Sequence, residues 1–349
     1  MKVGVIGCGG IAPHHIRVYK QLKNVELIGL CDLNIERAKA YAKEFQVENT
    51  YTDYWDMFKE GLDYVDICTP VSTHCKIVSD AAEVVPNILV EKPMALNLEQ
   101  CDKMIHAVSK HGRRLCIGHN QLFSPLVQKA KAMVDSGNFK LHSFRTTLKA
   151  DFENMKAYEL VPPWNVTPEQ RGIIWEVCAH HAYLQLHFLP DIEDVYAVGG
   201  KVRYPVYDDF AVLLRTKGDS FGNIELSWIQ KETEVVYELK DRTGRRVQIL
   251  WEFDHMLEYS QDPPFTIGLV VKNYLVDQKR LFQRWAKFTS CFIRKRKLLP
   301  TAGLITSYMD AIKKDLPPPV TPEDGRRTIN LLESIEKSLD ERKAVKLSQ

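Results

Sequence analysis

Residues 3–12 read Val3-Gly4-Val5-Ile6-Gly7-Cys8-Gly9-Gly10-Ile11-Ala12, an apolar strand running into G-x-G-x-x-A and then a helical pattern. This stretch decides the fold. Gly7 permits a tight turn, Gly9 lets the backbone approach a pyrophosphate, and Ala12 keeps the helix close to the strand. Gly10 and Ile11 lead into a helix N-terminus, where free N–H groups and the positive end of the helix dipole favour an anion. A second apolar run, Val25–Cys31, ends in Asp32, at the ~20-residue interval where a carboxylate meets the adenosine ribose hydroxyls and repels a 2′-phosphate. Leu33 and Asn34 supply no arginine for such a phosphate, so the pattern favours NAD over NADP. Arg37, one turn on, is the residue that works against that preference.

Working outward, apolar runs recur at Tyr64–Thr69, Ile88–Val90 and Leu115–Ile117, separated by helical patterns near 14–23, 34–45, 74–85 and 97–111. Continuous apolar strands alternating with helices imply a parallel sheet covered on both faces. Asn97, with Gln100 three residues on, has the form of a helix cap. After residue 121 the texture changes. A helix near 125–136 stops at Gly137. Alternating segments follow at His142–Lys149, Val195–Arg203, Phe210–Thr216, Gly222–Gln230, Val235–Leu239 and Arg245–Leu250, with hairpin breaks such as Asp241-Arg242-Thr243-Gly244. One helical segment near 173–189 interrupts them, and 323–343 reads as an amphipathic helix that packs back on the first domain. The expected fold class is α/β: a Rossmann doubly wound parallel sheet over 1–121, then an α+β domain over 122–349 with a large, mostly antiparallel, open-faced sheet.

Bulk composition narrows the function. With 47 Lys plus Arg against 45 Asp plus Glu, the net charge of +2 gives no reason to expect a nucleic-acid binder. The eight cysteines are scattered and form no C-x-x-C pair, which fits free thiols in a reducing, cytoplasmic setting. Glycines interrupt the first apolar run too early for a signal peptide. No stretch reaches the roughly 18–20 apolar residues of a membrane span.

Three further segments fall where strands of such a sheet end: Thr69-Pro70-Val71-Ser72-Thr73-His74, Glu91-Lys92-Pro93 and Gly118-His119-Asn120. Together with the opening motif and Asp32, they make the chain resemble the Gfo/Idh/MocA oxidoreductases over nearly its whole length, down to the closing Asp324-Gly325-Arg326. The resemblance implies an NAD-dependent enzyme acting on CH–OH groups of a sugar, polyol or nucleotide sugar. It places Lys92 beside the nicotinamide and the reacting hydroxyl, where a lysine can exchange a proton with the substrate oxygen or polarise it. It also implies cofactor-side roles for Thr69, Pro70, His74 and Glu91, and lets Asn120 reach substrate or the nicotinamide ribose.

The family's Asp followed four residues later by His aligns with Glu176 and His180. The resemblance makes His180 the expected proton acceptor, sharing that task with Lys92, and Glu176 a residue one methylene longer than the usual Asp. A spacing of four sets the two on one helical face. His181 stands next in line if the register is shifted by one. Trp164 and Lys149 are further substrate candidates, as an aromatic platform and a cation for an anionic group. No second cluster completes a zinc site around the Glu and His residues, so no metal is expected. Segment 279–297 holds eight Lys/Arg and no acid, interleaved with Trp285 and three phenylalanines. It reads as a solvated helix or subunit-contact arm, with an acidic membrane surface as the other possibility. The open sheet predicts a homodimer or homotetramer. Two other functions stand beside the dehydrogenase: an enzyme that recycles tightly held NAD, and a non-catalytic NAD-binding regulator or scaffold.

Overall fold

The computed structural model describes residues 1–157, 166–250, 255–259 and 299–347, so Trp164 and segment 279–297 lie outside the described residues. The chain divides into two compact units, Met1–Phe123 with Leu298–Glu333, and Ser124–Lys297 with Ser334–Gln349.

The first unit is built on six parallel strands: β1 (Lys2–Ile6), β2 (Glu26–Cys31), β3 (Asn49–Tyr51), β4 (Tyr64–Ile67), β5 (Asn87–Val90) and β6 (Arg114–Ile117). Their spatial order is β3-β2-β1-β4-β5-β6, the doubly wound arrangement expected from the sequence. The order reverses between β1 and β4, and ligands in such sheets bind beyond the strand ends at that switch point. Five helices connect the strands and carry legible start signals: α1 (Ala12–Gln21) has Pro13 in its first turn, and α2 (Ile35–Phe45) is capped by the Asn34 side chain. The very short α3 (Tyr54–Phe58) is capped by Asp53, and α4 (Val71–Val84) starts after Pro70. In α5 (Leu98–Lys110) the Asn97 carboxamide accepts from the Gln100 N–H, while Gln100 reaches back to the N–H of Leu96 rather than to the capping residue. Each such cap contributes about 1 kcal/mol. The pair β3 and α3 did not emerge from the periodicity, because three and five residues are too short to establish one.

The second unit holds an eight-stranded sheet of order β13-β12-β11-β7-β10-β9-β8-β14. Its strands are β7 (Leu141–Asp151), β8 (Ile192–Gly200), β9 (Asp209–Thr216), β10 (Phe221–Ser227), β11 (Ile229–Asp241), β12 (Arg246–Leu250), β13 (His255–Tyr259) and β14 (Val345–Lys346). All pairings are antiparallel except β10 with β7. Strand β8 ends at Gly200, earlier than the alternation suggested, because buried Asp208 accepts the N–H groups of Val202, Arg203 and Tyr204 and folds the next residues into a turn.

The remaining helices are α6 (Pro125–Asp135), α7 (Phe152–Ala157), α8 (Gly172–Glu176), α9 (Cys178–Phe188), α10 (Leu299–Lys313) and α11 (Pro322–Glu341). Helix α9 lies on one face of the sheet, where Phe188 meets Phe144 and Gln185 Nε2 donates to the carbonyls of Phe144 and Asn223. Gly222 makes that approach possible, since a Cβ there would stand 2.3 Å from Gln185 Oε1. The segment expected as one helix over 173–189 is thus two, broken at Val177. Among the described residues no helix is long and apolar enough to cross a membrane.

Candidate active site

In the first unit, Gly7, Asp32, Thr69, Glu91 and Gly118 lie just past the carboxyl ends of β1, β2, β4, β5 and β6. Gly7 follows β1 with φ +94°, and a Cβ there would stand 2.7 Å from the backbone carbonyl of Cys68. Only glycine fits that turn without strain of about 1–3 kcal/mol. Gly9 and Gly10 face open space, with nothing within 4 Å of a Cβ built on either. No side chain caps the first turn of α1 at Ile11. A tight turn, two bare glycines and an uncapped helix start together form a cradle that fits the pyrophosphate of a dinucleotide.

Asp32 ends β2 with its carboxylate fixed by two amides, Cys8 N–H on Oδ2 and Asn34 N–H on Oδ1, each at 2.8 Å. Arg37 lies 3.7 Å from the same carboxylate. These neighbours orient Asp32 for ribose hydroxyls and occupy the nearest cation, so the residues present fit NAD. Burial, and after it the Asp32 charge, push the Cys8 thiol up to about 12, so it stays a neutral lining group.

Beyond β4, Thr69 and Pro70 open α4, and Thr73 Oγ1 donates to the Pro70 carbonyl. Buried His74 points back from that helix: Nε2 is 2.9 Å from the Thr69 carbonyl and Nδ1 3.0 Å from that of Pro93. His74 therefore ties the Thr69-Pro70 turn to the Glu91-Lys92-Pro93 turn, and burial lowers its pKa. The Lys92–Pro93 peptide is cis. The Lys92 N–H donates to Glu91 Oε2, and the Glu91 N–H to the Ile67 carbonyl. Gly118 closes the site from β6, since a Cβ there would stand 3.0 Å from Glu91 Cα and 3.1 Å from the Lys92 nitrogen. Next to it, His119 is buried, with its pKa lowered to about 3 by loss of solvation, and Asn120 Nδ2 donates to Thr301 Oγ1.

Three residues outside the sequence motifs, Asp66, Tyr19 and His15, support this site. All three are fully buried beneath this turn: His15 Nδ1 is 2.7 Å from Asp66 Oδ2, the Tyr19 hydroxyl donates to that same oxygen at 2.6 Å, and His15 Nε2 is 3.1 Å from Glu91 Oε1. A carboxylate amid Tyr64-Val65-Asp66-Ile67 was the available signal, because charge is rarely buried in a strand without a partner.

In the second unit, Arg171 (φ +57°) and Gly172 (φ +62°) both take left-handed backbone and swing the chain into α8. The Arg171 guanidinium stacks on Trp175 at 3.5 Å and pairs with Glu336. Glu176 and His180 are half-exposed, across the Val177 break rather than on an uninterrupted helix. His180 Nδ1 lies 2.7 Å from the Tyr183 hydroxyl.

The adjacent histidines differ in kind. His181 turns to the sheet, edge-on to Tyr237, and burial lowers its pKa to about 3. It is sealed from solvent, which corrects its candidacy as the working residue. Lys149 also departs from expectation. Five residues from inward-facing Phe144 in a regular strand, it lies on the opposite sheet face from α9, paired with Glu225 at 2.6 Å. Its charge is already engaged there. A buried group of His15, Asp66 and Cys68 has metal-ligand composition, a cluster the sequence spacing did not show.

With the geometry in hand, comparison with known proteins gives a consistent result. Residues 1–119 match the family described as "Oxidoreductase family, NAD-binding Rossmann fold", and residues 127–250 match the "GFO/IDH/MocA C-terminal domain". Myo-inositol 2-dehydrogenase of Thermotoga maritima is 24% identical, covering 100% of this chain and 99% of that protein. A protein described as an uncharacterized oxidoreductase, YrbE of Bacillus subtilis, is 25% identical over 68% of this chain and 69% of its own length. Among solved structures, the WlbA dehydrogenase from Bordetella pertussis in complex with NADH and UDP-GlcNAcA shares the fold, with a TM-score of 0.80 at 19% identity over 100% of this chain and 98% of that one.

Proposed function

This chain belongs to the Gfo/Idh/MocA oxidoreductases, and we propose that it is an NAD-dependent dehydrogenase transferring hydride between the nicotinamide and a secondary alcohol of a sugar, polyol or nucleotide sugar. The observation that carries this reading is the convergence of the Gly7–Gly10 cradle, the amide-fixed Asp32 and the Lys92 turn at the ends of β1, β2 and β5. The relatives named above, a myo-inositol dehydrogenase and a structure holding a nucleotide sugar, support the substrate class.

Gly7, Gly9, Gly10 and the Ile11 turn would hold the pyrophosphate, Asp32 the adenosine ribose, and Thr69, Pro70 and His74 the wall of the site. NAD, when bound, supplies the hydride acceptor. Lys92 Nζ exchanges the proton of the substrate hydroxyl, with Glu91 fixing the turn from which it projects. His180 serves as a second proton acceptor; its contact with the Tyr183 hydroxyl, which sets the ring's orientation, supports that role. Glu176 and Asn120 are substrate-facing candidates. Residues 1–121, in one compact unit with Leu298–Glu333, act as the cofactor domain, and the rest of 122–349 as the substrate and assembly domain.

The protein is a homo-oligomer in this reading. Tyr196, Val198 and Leu213 are exposed on neighbouring strands, with Tyr196 paired opposite Leu213, and a second copy would cover them. Free cysteines throughout the described residues support a reducing, cytoplasmic setting. The test is NADH formation from NAD across polyols, aldoses and UDP-sugars. Turnover of one class supports the proposal, and inertness toward all three with intact NAD binding overturns it.

A further inference from the structure

Buried beneath the Lys92 turn, one imidazole faces two carboxylates. His15 presents Nδ1 to Asp66 Oδ2 at 2.7 Å and Nε2 to Glu91 Oε1 at 3.1 Å. The second contact meets the distance of an ion pair without hydrogen-bond geometry, and neither of its atoms has a hydrogen-bond partner. A neutral imidazole has a single N–H, so it would press a lone pair against one of these oxygens. No solvent is available to relieve that repulsion, since His15 and Asp66 are 0% exposed and Glu91 5%. With both nitrogens protonated, Nδ1–H donates to Asp66, the charged ring makes an ion pair with Glu91, and one of the two buried negative charges is balanced.

We propose that His15 is held as a buried imidazolium between Asp66 and Glu91, and that this ion triad is the positioning device for the Glu91-Lys92-Pro93 turn. Burial is the largest single influence and opposes the charge on His15, but Asp66 and Cys68 together outweigh it, and the ring's pKa lies well above its usual value. The other titratable groups around the triad cannot replace it as the cation. His74, the other imidazole within electrostatic reach of Glu91, is lowered by burial and stays neutral, and Tyr19, Tyr64, Cys68 and Cys116 are raised by burial and carry no positive charge in either form. Glu91 is then pinned at both oxygens, Oε1 by the imidazolium and Oε2 by the Lys92 N–H, with Gly118 packed behind it. Removing the cation leaves two buried carboxylates without a counter-charge, and Glu91, just past the end of β5, is less held by strand pairing than Asp66 within β4. His15, Asp66 and Cys68 could also ligate a metal, but an imidazolium offers no lone pair and a protonated thiol is a poor ligand.

The functional half of this proposal rests on Lys92 as the proton-exchanging residue; the ionisation half does not. The direct test is a neutron structure of the whole protein at about pD 8, above the ~6.5 of a free imidazole. Deuterium on both ring nitrogens of His15 is the expected result. A single deuteron, or a metal ion in their place, overturns the proposal. The positioning half is read with an amine-reactive N-hydroxysuccinimide ester and mass spectrometry. His15→Gln should change the labelling rate of Lys92 at least about threefold, while exposed Lys59 and Lys76 are unchanged. Equal Lys92 labelling in the two proteins refutes the positioning role, and the wild-type neutron result stands even if the variant fails to fold. Should Lys92→Ala retain turnover while His15 carries two deuterons, the Lys92 reading fails and the triad survives.

Discussion

Replacing Asp32 by serine isolates the cofactor preference in one carboxylate. Its oxygens are fixed by the Cys8 and Asn34 amides at 2.8 Å, and Arg37 waits 3.7 Å away. Each oxygen has a second lone pair for a ribose hydroxyl, and a hydrogen bond to a charged acceptor contributes about 1.5–3 kcal/mol. Serine keeps part of one such bond, so NADH affinity should fall ~10- to 100-fold. Repulsion of a 2′-phosphate at ~4 Å amounts to about 4 kcal/mol at an effective dielectric of 20 and about 1 in water. The Asp32 side chain is only 11% exposed, and an intermediate ~2 kcal/mol raises NADPH affinity ~30-fold once it is removed. Arg37, released from its partner, adds to that gain. The ratio of NADPH to NADH affinity should therefore rise by two to three orders of magnitude, read as dissociation constants by nucleotide fluorescence. Arg37→Ala on the Asp32→Ser background should take much of the NADPH gain away. A ratio that moves less than about threefold would refute the assignment of Asp32 to the ribose.

Three other outcomes follow from the same geometry. Gly118→Ala drives a methyl group against Glu91 and the Lys92 nitrogen, so turnover should fall at least ~10-fold while stability drops by only about 1–3 kcal/mol in denaturant titration; unchanged turnover would separate Gly118 from the site. His119 and His181 keep folded pKa values of about 3 against ~6.5 unfolded. Between those values the unfolded chain binds more protons, so stability falls as pH falls, by about 2 kcal/mol per histidine from pH 7 to 5. Raised His15 opposes this loss by less than about 1 kcal/mol, chiefly near and above ~6.5, because well below that it is charged in both states. His181→Phe, which keeps the edge contact with Tyr237, should remove about half of that combined acid loss in melts at the two pH values; an unaltered pH dependence would contradict it. Leu213→Glu on the exposed sheet face should yield monomers in light scattering, and a wild-type monomer would refute the oligomer.

How much the sequence revealed depended on how local each feature was. Gly7, Gly9 and Asp32 were legible because a tight turn, a bare backbone and a strand-end carboxylate are set by neighbours within one β-α-β unit. The His15–Asp66–Glu91 triad was not. Its members are 51 and 25 residues apart, and only the lateral order β2-β1-β4-β5 brings them together. Lys149 shows a different limit: alternation assigns it to one face of β7, but which face lies under α9 depends on packing that Phe144, Gln185 and Gly222 decide together. The Val177 break escaped notice because apolar periodicity runs through it, and β14, two residues long, exists only by pairing with β8.

The central claim, that this chain moves hydride with Lys92 exchanging the proton, is tested most directly by following NADH absorbance with the best alcohol of the panel in wild type and Lys92→Met, with NADH affinity measured in parallel. Turnover in the wild type, a loss of at least ~10²-fold in the variant, and nucleotide affinity unchanged within about threefold are the expected results. Equal turnover in the two proteins would contradict it.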